Sequence, residues 1–411
     1  MSDTNHSAPP LAGIRVTDFT WIGAGSYTTK MLSDSGADVV KIESTERIDS
    51  LRLAAPYKDG IKGVNRSGYF ADRNSGKRSL TLNMKHPRAL GLVTRLIQQS
   101  DVIANNFTPG VMERFGLGYE TVRAIKPDII YLAMSMQGSS GPEKDYLGYG
   151  ATMAAVTGMQ YMTGLPGREP AGTGTNYPDH LPNPCHATFA VLAALRHRRR
   201  TGQGQYIDLA QTEPTIALLG PAVLDYTVNG VKGSPSGNAS ADQAAPYDAF
   251  PCAGEDRWIT IGIHSETQWK ALAGALGQPA WMDDSRFATA AGRRKHAEPL
   301  RELISSVTLQ RDATELMQAL QACGIAAAVV NTAADVIVDP QLVHRGHWLT
   351  LNHPEMGPSL YNAQPFRMKR APSNVKQPAP LLGQHTREVC RELLGLDENE
   401  IEVLTQEGAL S

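Results

Sequence analysis

The chain has few cysteines and no paired cysteine motif. Its 411 residues include four widely separated cysteines, Cys185, Cys252, Cys323 and Cys390. A disulfide framework and a zinc site built from thiolates both need closely spaced cysteines. Neither is therefore encoded, and the sparse cysteines favour a protein of a reducing compartment, the cytoplasm.

The sequence also lacks a long apolar run and an excess of charge. Its first ten residues, MSDTNHSAPP, have no basic start and no apolar stretch of the kind that a signal peptide has. No apolar run approaches the ~18 residues that a membrane span needs. Lys and Arg number 39 and Asp and Glu number 41, so the formal net charge is −2. We therefore expect neither a membrane nor a nucleic acid as partner.

The segments that are present alternate between strands and helices. Hydrophobic residues make up 41% of the chain and charged residues 19%, as in ordinary globular proteins with room for two or three domains. From Gly13 to Met136, short β-branched runs alternate with helical patterns, which predicts βαβ units and a parallel sheet. Two later strands are predicted at Trp258–Ile263 and Ala326–Thr332. They favour a smaller α/β domain.

Three stretches interrupt or end this alternation. The segment from Ser44 to Ser79 is too long for a simple loop, and we expect a surface excursion there. Thr188 to Arg200 begins apolar and ends in four arginines before Gly202, as a helix C-terminus with solvated cations does. From Val228 to Gln243 the chain is rich in Gly, Ser, Asn and Pro, which predicts a linker or a mobile loop.

One turn between a strand and a helix has the composition of a ligand site. In WIGAGSYTTK, Gly23 and Gly25 let a ligand approach the backbone, and Glu43 stands at the end of the next predicted strand. This nearly matches a dinucleotide fingerprint, but Thr28 occupies the place of the third glycine. A tight turn without a ligand and an anion-binding turn both remain open.

A second cluster contains residue types that bind metals. Asp179, His180, Cys185 and His186 lie close in sequence, but their spacing fits no standard zinc motif. We therefore predict no metal. There is also no G-x-S-x-G elbow of a serine hydrolase. Taken alone, Asp179 is equally a candidate N-cap for the helix that follows it.

Six segments in a fixed order resemble the class III CoA-transferases, the family of formyl-CoA transferase and carnitine CoA-transferase. They are LAGIRVTDFTWIGAGSYTTKMLSDSGADVVKIE, NSGKRSLTLNMKHP, DVIANNFTPGVMERFGLGYE, LAALRHRRRTGQGQYIDLA, DPQLVHRGHW and PLLGQHT. The resemblance implies a Rossmann-like large domain with a parallel sheet, whose first part is 1–225. It further implies a smaller α/β domain at 226–335, a segment 336–411 that returns to the large domain, and an interlocked homodimer, with a heteromer as an alternative.

The resemblance also implies roles for individual residues. Asp179 occupies the place of the family's nucleophilic aspartate, and Tyr149 matches an active-site tyrosine. Coenzyme A is expected to contact Ile22, Gly23, Ala24, Leu82, Lys85, Asn106, Phe107, Thr108 and Arg114. Ser44 stands where some members have an arginine, with Arg47 and Arg52 as nearby substitutes, and Leu147 replaces a lysine. The stretch around Gly233 and Gly237 would form a lid.

The function implied is CoA transfer from an acyl-CoA donor to a carboxylate acceptor through an aspartyl-CoA thioester. We expect succinyl-CoA as donor and a larger dicarboxylate as acceptor. Three alternatives remain: a racemase of the same fold, an NAD-dependent oxidoreductase, and a non-catalytic subunit of a heteromer. The racemase is disfavoured because no His or Asp lies between Leu147 and Met159.

Overall fold

The chain divides into two compact units. The computed structural model describes residues 8–239, 244–371 and 373–411. The first unit runs to Met162 and continues through Pro170–Gly233 and Gln341–Ser411. The second consists of Thr163–Glu169 and Ser234–Pro340, so it is inserted into the first. No sequence pattern pointed to the contribution of Thr163–Glu169.

A six-stranded sheet with all neighbours parallel forms the centre of the first unit. Its order is β3-β2-β1-β4-β5-β6. The strands are β1 (Arg15–Asp18), β2 (Asp38–Glu43), β3 (Arg78–Thr81), β4 (Val102–Asn105), β5 (Ile130–Ala133) and β6 (Gln205–Asp208). The predicted α/β fold with a parallel sheet is confirmed. The order reverses between β1 and β4, and open sheets of this kind bind ligands at that reversal.

Helices cover the sheet, and buried apolar clusters pack on it. In α3, Leu92, Val93, Leu96 and Ile97 repeat at helical spacing and are buried. The helices are α1 (Ile22–Asp34), α2 (Gly68–Asn74), α3 (Ala89–Gln98), α4 (Val111–Arg114), α5 (Tyr119–Ile125), α6 (Gly150–Val156), α7 (Met159–Met162), α8 (Tyr177–His180), α9 (Pro182–Thr201), α10 (Thr212–Ala217) and α11 (Gly220–Asn229). The excursion expected between β2 and β3 contains α2 and two 3-10 turns, Ser50–Leu53 and Lys58–Gly60.

Helix α9 ends where the sequence predicts but begins earlier. Gly202 follows it in the left-handed conformation, with φ of 74°, and its N–H donates to the Arg198 carbonyl. At the other end, Leu181 is the N-cap and Pro182 is the first helical residue. The interpretation of Asp179 as the N-cap is therefore wrong, because Asp179 lies within the preceding turn, α8.

The second unit has its own antiparallel sheet and its own core. The sheet has the order β7-β8-β9. Around it, Phe250, Ile259, Trp269 and Phe287 belong to one buried cluster. The elements are β7 (Tyr247–Pro251), β8 (Trp258–Gly262), β9 (Ala326–Val329), α12 (Glu266–Ala275), α13 (Ala290–Lys295), α14 (Ala297–Thr308), α15 (Ala313–Ala322), α16 (Ala333–Val338) and a 3-10 turn, Pro279–Met282.

The C-terminal segment completes the first unit. After α17 (Pro340–Arg345) come β10 (Trp348–His353), β11 (Gly357–Asn362), α18 (Thr386–Glu392) and α19 (Glu398–Gln406). Val389 of α18 and Ile401 of α19 are fully buried in the cluster that contains Leu80 and Leu96. Among the described residues, no helix is both long and apolar enough to cross a membrane.

Candidate active site

A cavity of about 630 Å³ opens at the carboxyl ends of the parallel strands, within the first unit. Its lining comes from the segments that directly follow the strands, including Trp21 after β1, Asn106 after β4 and Gln211 after β6. All residues expected in catalysis or CoA contact line it: Ile22, Gly23, Ala24, Leu82, Lys85, Asn106, Phe107, Thr108, Arg114, Tyr149 and Asp179. The fold thus brings together residues that are up to 157 positions apart in the chain.

The turn after β1 is held in a strained conformation by side chains from elsewhere in the first unit. Ile22 has φ of 59°, which is unusual for a β-branched residue. The Asn106 amide donates to the Trp21 carbonyl at 2.7 Å and accepts from the Trp21 N–H at 2.8 Å. Asp49 accepts from the Ile22 N–H at 3.2 Å. Asn106 therefore serves the shape of the turn, since both of its amide ends already bond to backbone.

Asp179 is enclosed between two helix starts. Its side chain is buried, with 4% of the residue exposed. A Cβ placed on Gly23 of α1 would lie 3.0 Å from the Asp179 Cβ, and one on Gly150 of α6 would lie 2.9 Å from Oδ2. The Gly150 N–H donates a hydrogen bond to the carboxylate. A Cβ on Gly150 would also lie 2.6 Å from the Asn176 Cβ. A larger residue would therefore press on the carboxylate at either position, and at Gly150 it would press on Asn176 as well.

Burial changes the acidity of Asp179. Loss of water around the carboxylate raises its pKa to about 6, while the Gly150 N–H and the Arg73 charge oppose this rise. The carboxylate is still mainly ionised at neutral pH. It is also more basic than an exposed aspartate, and a more basic carboxylate is a stronger nucleophile.

The cavity mouth carries cations and aromatic rings. Arg47, Lys85 and Arg114 are exposed there. The Arg47 guanidinium lies 5.3 Å from the centre of the Trp21 ring, and Trp21 meets Phe107 edge to face at 5.9 Å. Phosphate groups and a heterocyclic base both suit such a surface.

Arg52 is not available to a ligand. It is fully buried, and its guanidinium binds both oxygens of Glu43, at 2.8 and 2.7 Å. The expectation that Arg52 replaces the missing phosphate contact at Ser44 is therefore wrong. Of these two arginines, Arg47 is the one that lines the cavity. Ser79 also donates to Glu43, at 2.6 Å. Both oxygens of Glu43 are thus already bonded to protein groups, which disfavours its use for the ribose contact that an NAD-dependent oxidoreductase would need.

Comparison with known proteins decides the family. Residues 11–386 match the family described as CoA-transferase family III. The chain belongs to CoA-transferase family III. It is 33% identical over 399 residues to the succinyl-CoA–D-citramalate CoA-transferase of Chloroflexus aurantiacus, covering 96% of each chain. It is 32% identical to the succinate–glutarate CoA-transferase of Agrobacterium fabrum, covering 96% of this chain and 98% of the other.

Two further comparisons extend this result. The chain is 31% identical to the succinyl-CoA–L-malate CoA-transferase beta subunit of Chloroflexus aurantiacus, with 95% of this chain and 96% of the other covered. A crystal structure of a CAIB/BAIF family protein from Brucella suis superposes with a TM-score of 0.86 at 30% identity. It covers 94% of this chain and 100% of that one. The predicted family is confirmed, and the chain is an acyl-CoA:carboxylate CoA-transferase with CoA thioesters as substrates.

The two histidines of the candidate metal cluster in this CoA-transferase have other partners. His180 bonds to Tyr69 and Arg73. His186 Nδ1 lies 2.8 Å from the Pro182 carbonyl, to which it donates. Within residues 8–239, 244–371 and 373–411, no group of three His, Cys, Asp or Glu side chains is placed to hold a metal ion.

Other residues of the transferase lie differently from what their sequence suggests. Tyr149 is 64% exposed at the N-cap position of α6. Gly233 and Gly237 do not line the cavity: a Cβ on Gly233 would meet the Met162 sulfur at 2.4 Å, and the Gly237 N–H donates to the Gly164 carbonyl. Residues 240–243, the end of the expected lid, lie outside the described residues.

Sequence reasoning missed Gly150 and the group around Arg73. Gly150 directly follows Tyr149, but nothing in the segment LGYGAT indicates that this glycine has a role in the site. Its role depends on the contact with Asp179, 29 residues later in the chain. Arg73 contacts His180 across 107 residues, and no local pattern connects them.

Proposed function

We propose that Asp179 carries the acyl group and then CoA during transfer. Its carboxylate attacks the thioester carbonyl of the donor, the carbon–sulfur bond breaks, and CoA leaves as a thiolate. The thiolate then attacks the aspartyl carbonyl of the mixed anhydride, which releases the donor acid and leaves an aspartyl-CoA thioester. The acceptor carboxylate attacks this thioester, and the released thiolate finally takes the acceptor acyl group and frees Asp179.

The observation that supports this proposal most is the burial of an ionisable carboxylate in the cavity. A mixed anhydride and a thioester both react with water, so the carrier must be shielded from it. Asp179 is shielded on two sides by Gly23 and Gly150 and has the raised pKa of a desolvated group. A carboxylate needs no general base, which agrees with the histidine beside it, His180, being engaged elsewhere.

We propose succinyl-CoA as the donor and a larger dicarboxylate as the acceptor. The support is in the names of the relatives, which pair succinyl-CoA or succinate with D-citramalate, glutarate and L-malate. A panel of purified acyl-CoAs and carboxylates, each acceptor measured against each donor, tests this. Faster transfer from formyl-CoA or an aromatic acyl-CoA than from succinyl-CoA would refute it.

Covalent labelling tests the role of Asp179. The protein is incubated with donor acyl-CoA, trapped with hydroxylamine or borohydride, and digested for mass mapping of the peptide that contains Asp179. We expect modification at Asp179 alone, and none in Asp179→Ala, which should still bind CoA. Asp283→Ala, at an exposed position in the second unit, is the matched control and should label normally. Labelling of another carboxylate, or turnover by Asp179→Ala, would overturn the proposal.

We also propose that two copies of the chain form an intimate homodimer. Helix α11 has no buried residue, yet it exposes 62% of Leu224, 55% of Tyr226 and 75% of Val228. On α9, Phe189 is 73% exposed. Apolar helix faces of this kind are normally covered, and a second copy of the chain is the partner that the family resemblance implies.

Sedimentation velocity at micromolar concentration tests the dimer. We expect one dimeric species that does not exchange subunits with a tagged copy, and a monomeric or aggregated Leu224→Asp variant. The control is Val403→Asp, which changes an exposed apolar residue of α19. A wild-type monomer would refute the proposal. A dimer that includes a second, different chain from the source cell would instead favour the heteromer.

A further inference from the structure

A group of hydrogen-bonded side chains lies beside the turn that carries Asp179. These side chains do not line the cavity. The group consists of Tyr69, Asp72 and Arg73 on α2 and His180 on α8. His180 is the immediate neighbour of Asp179 on the same four-residue turn. Any partner that fixes His180 therefore also fixes the backbone that carries the nucleophile.

The donors in this group can be assigned. An Arg73 Nη lies 3.1 Å from His180 Nδ1, and a guanidinium only donates, so Nδ1 accepts. The proton of the neutral ring is then on Nε2, which donates to the Tyr69 hydroxyl oxygen at 3.1 Å. Burial, together with the Arg73 charge, lowers the pKa of His180 to about 4. His180 is consequently a neutral connector between α8 and α2.

Arg73 is itself held on several sides. It pairs with Asp72, and the Asn362 amide donates to the other Asp72 oxygen at 2.6 Å. Its guanidinium lies 4.2 Å from the centre of the Tyr27 ring. Its Nε is buried without a hydrogen-bond partner among the described residues. Asp72 and Tyr27 therefore fix the guanidinium of Arg73 while one of its terminal nitrogens reaches His180.

We propose that Arg73 is a positioning residue for Asp179: it holds α8 through His180, the residue that follows Asp179, and so brings a positive charge to the turn that carries the carboxylate. The proposal rests on the proposed function, because it matters for catalysis only if Asp179 reacts. Arg73 is the charged side chain whose field favours the ionised form of Asp179. A cation beside a buried carboxylate lets the carboxylate remain ionised without binding a water molecule.

The other titratable groups on the elements near α8 do not supply this charge. Tyr27 on α1 and Tyr69 on α2 both have a raised pKa because they are buried, and they are neutral at physiological pH. Burial also raises the pKa of Cys185 on α9. Helix α6 has no ionisable side chain and contributes the Gly150 N–H. Asp72 is negative and paired with Arg73.

The test is the pH dependence of acyl-CoA labelling at Asp179 in single-turnover experiments between pH 4.5 and 8. Arg73→Gln keeps a donor for His180 but removes the charge. We expect its labelling midpoint to rise by about half a pH unit or more, and Arg73→Lys to return the midpoint toward that of the wild type. His180→Gln keeps the charge, so we expect slower labelling with an unchanged midpoint. Arg198→Gln, which removes a cation paired with Asp101 on the first unit, should leave both unchanged.

The outcomes separate the two proposals. Absence of labelling in the wild type would refute the proposed function. Normal wild-type labelling with the same midpoint in Arg73→Gln would overturn the positioning role. If Arg73→Gln does not fold, an Arg73→Lys midpoint equal to that of the wild type, together with slow labelling of His180→Gln, supports the role. Fast labelling of His180→Gln would refute it.

Discussion

Replacing Asp179 by asparagine should stabilise the protein at neutral pH while abolishing turnover. Burial raises the pKa of Asp179 from its ordinary value of 3.8 to about 6, so ionisation is disfavoured in the folded state. At about 1.4 kcal/mol for each pH unit, the buried charge costs at most about 3 kcal/mol. Asparagine has nearly the same shape, and its amide oxygen can still accept from the Gly150 N–H. We therefore expect a gain of about 1 to 2 kcal/mol, which is below the ceiling because the new amide N–H is also buried.

The sign and the pH window of this effect follow from linkage. Between pH 3.8 and about 6 the folded state holds the Asp179 proton more tightly than the unfolded chain does. Stability is therefore lost as the pH rises through this window, and the loss is complete above it. Asparagine does not titrate. Its advantage should be full at pH 7.5 and much smaller at pH 4.5.

Urea unfolding at the two pH values measures this difference. Asp283→Asn removes an exposed carboxylate from the second unit and should change stability by less than about 0.5 kcal/mol at both. An Asp179→Asn protein that is less stable than the wild type at pH 7.5 would refute the reasoning. So would a difference that is the same at both pH values, because it could not come from the ionised carboxylate.

Three further predictions concern the cavity and the residues around it. Arg47→Ala should raise KM for the CoA ester by about tenfold with little change in kcat, since a charge-assisted contact is worth ~1.5 kcal/mol or more and the nucleotide is remote from the reacting carbonyl. Arg52→Ala should instead destabilise the fold by about 3 to 5 kcal/mol, because it leaves the buried Glu43 unpaired. Steady-state kinetics measure the first effect and urea unfolding measures the second. An unchanged KM in Arg47→Ala would count against the phosphate contact. Gly150→Ala should lower kcat about a hundredfold with CoA binding retained, since the new Cβ would lie 2.6 Å from the Asn176 Cβ and 2.9 Å from Asp179 Oδ2. Full activity would mean that both side chains have room to move.

The sequence predicts the large sheet because five of its six strands are buried on both faces, whereas β6 is half-exposed. Runs such as ADVVKIE and DVIANNF show this as continuous β-branched and apolar residues between helical patterns. Strand β7 was missed because YDAFP is short, half-exposed and ends in Pro251. Its place is set by pairing with Trp258–Gly262 rather than by its own propensity.

The composition of the cavity was predictable, but the partners of its charges were not. Turn and strand-end residues converge because parallel strands end at one edge, so the residues implied by the family all line one cavity. Whether a charge there is free depends on distant contacts. The sequence around Arg52 and Arg47 does not distinguish them, yet Arg52 is paired with Glu43 and Arg47 is exposed.

The burial of Asp179 connects the stability of the enzyme with its chemistry. The carboxylate is costly to ionise because water is excluded, and exclusion of water is also what the anhydride and the thioester that we propose on Asp179 would require. Making the carboxylate more exposed would lower its pKa and increase stability, but it would also make it a weaker nucleophile and admit water. The fixed charge of Arg73 favours ionisation of Asp179 without adding a water molecule. Experiments can therefore separate the cost of ionising the carboxylate from its reactivity. Asp179→Asn should remove both the ionisation cost and the activity, whereas Arg73→Gln should increase the ionisation cost and keep the carboxylate.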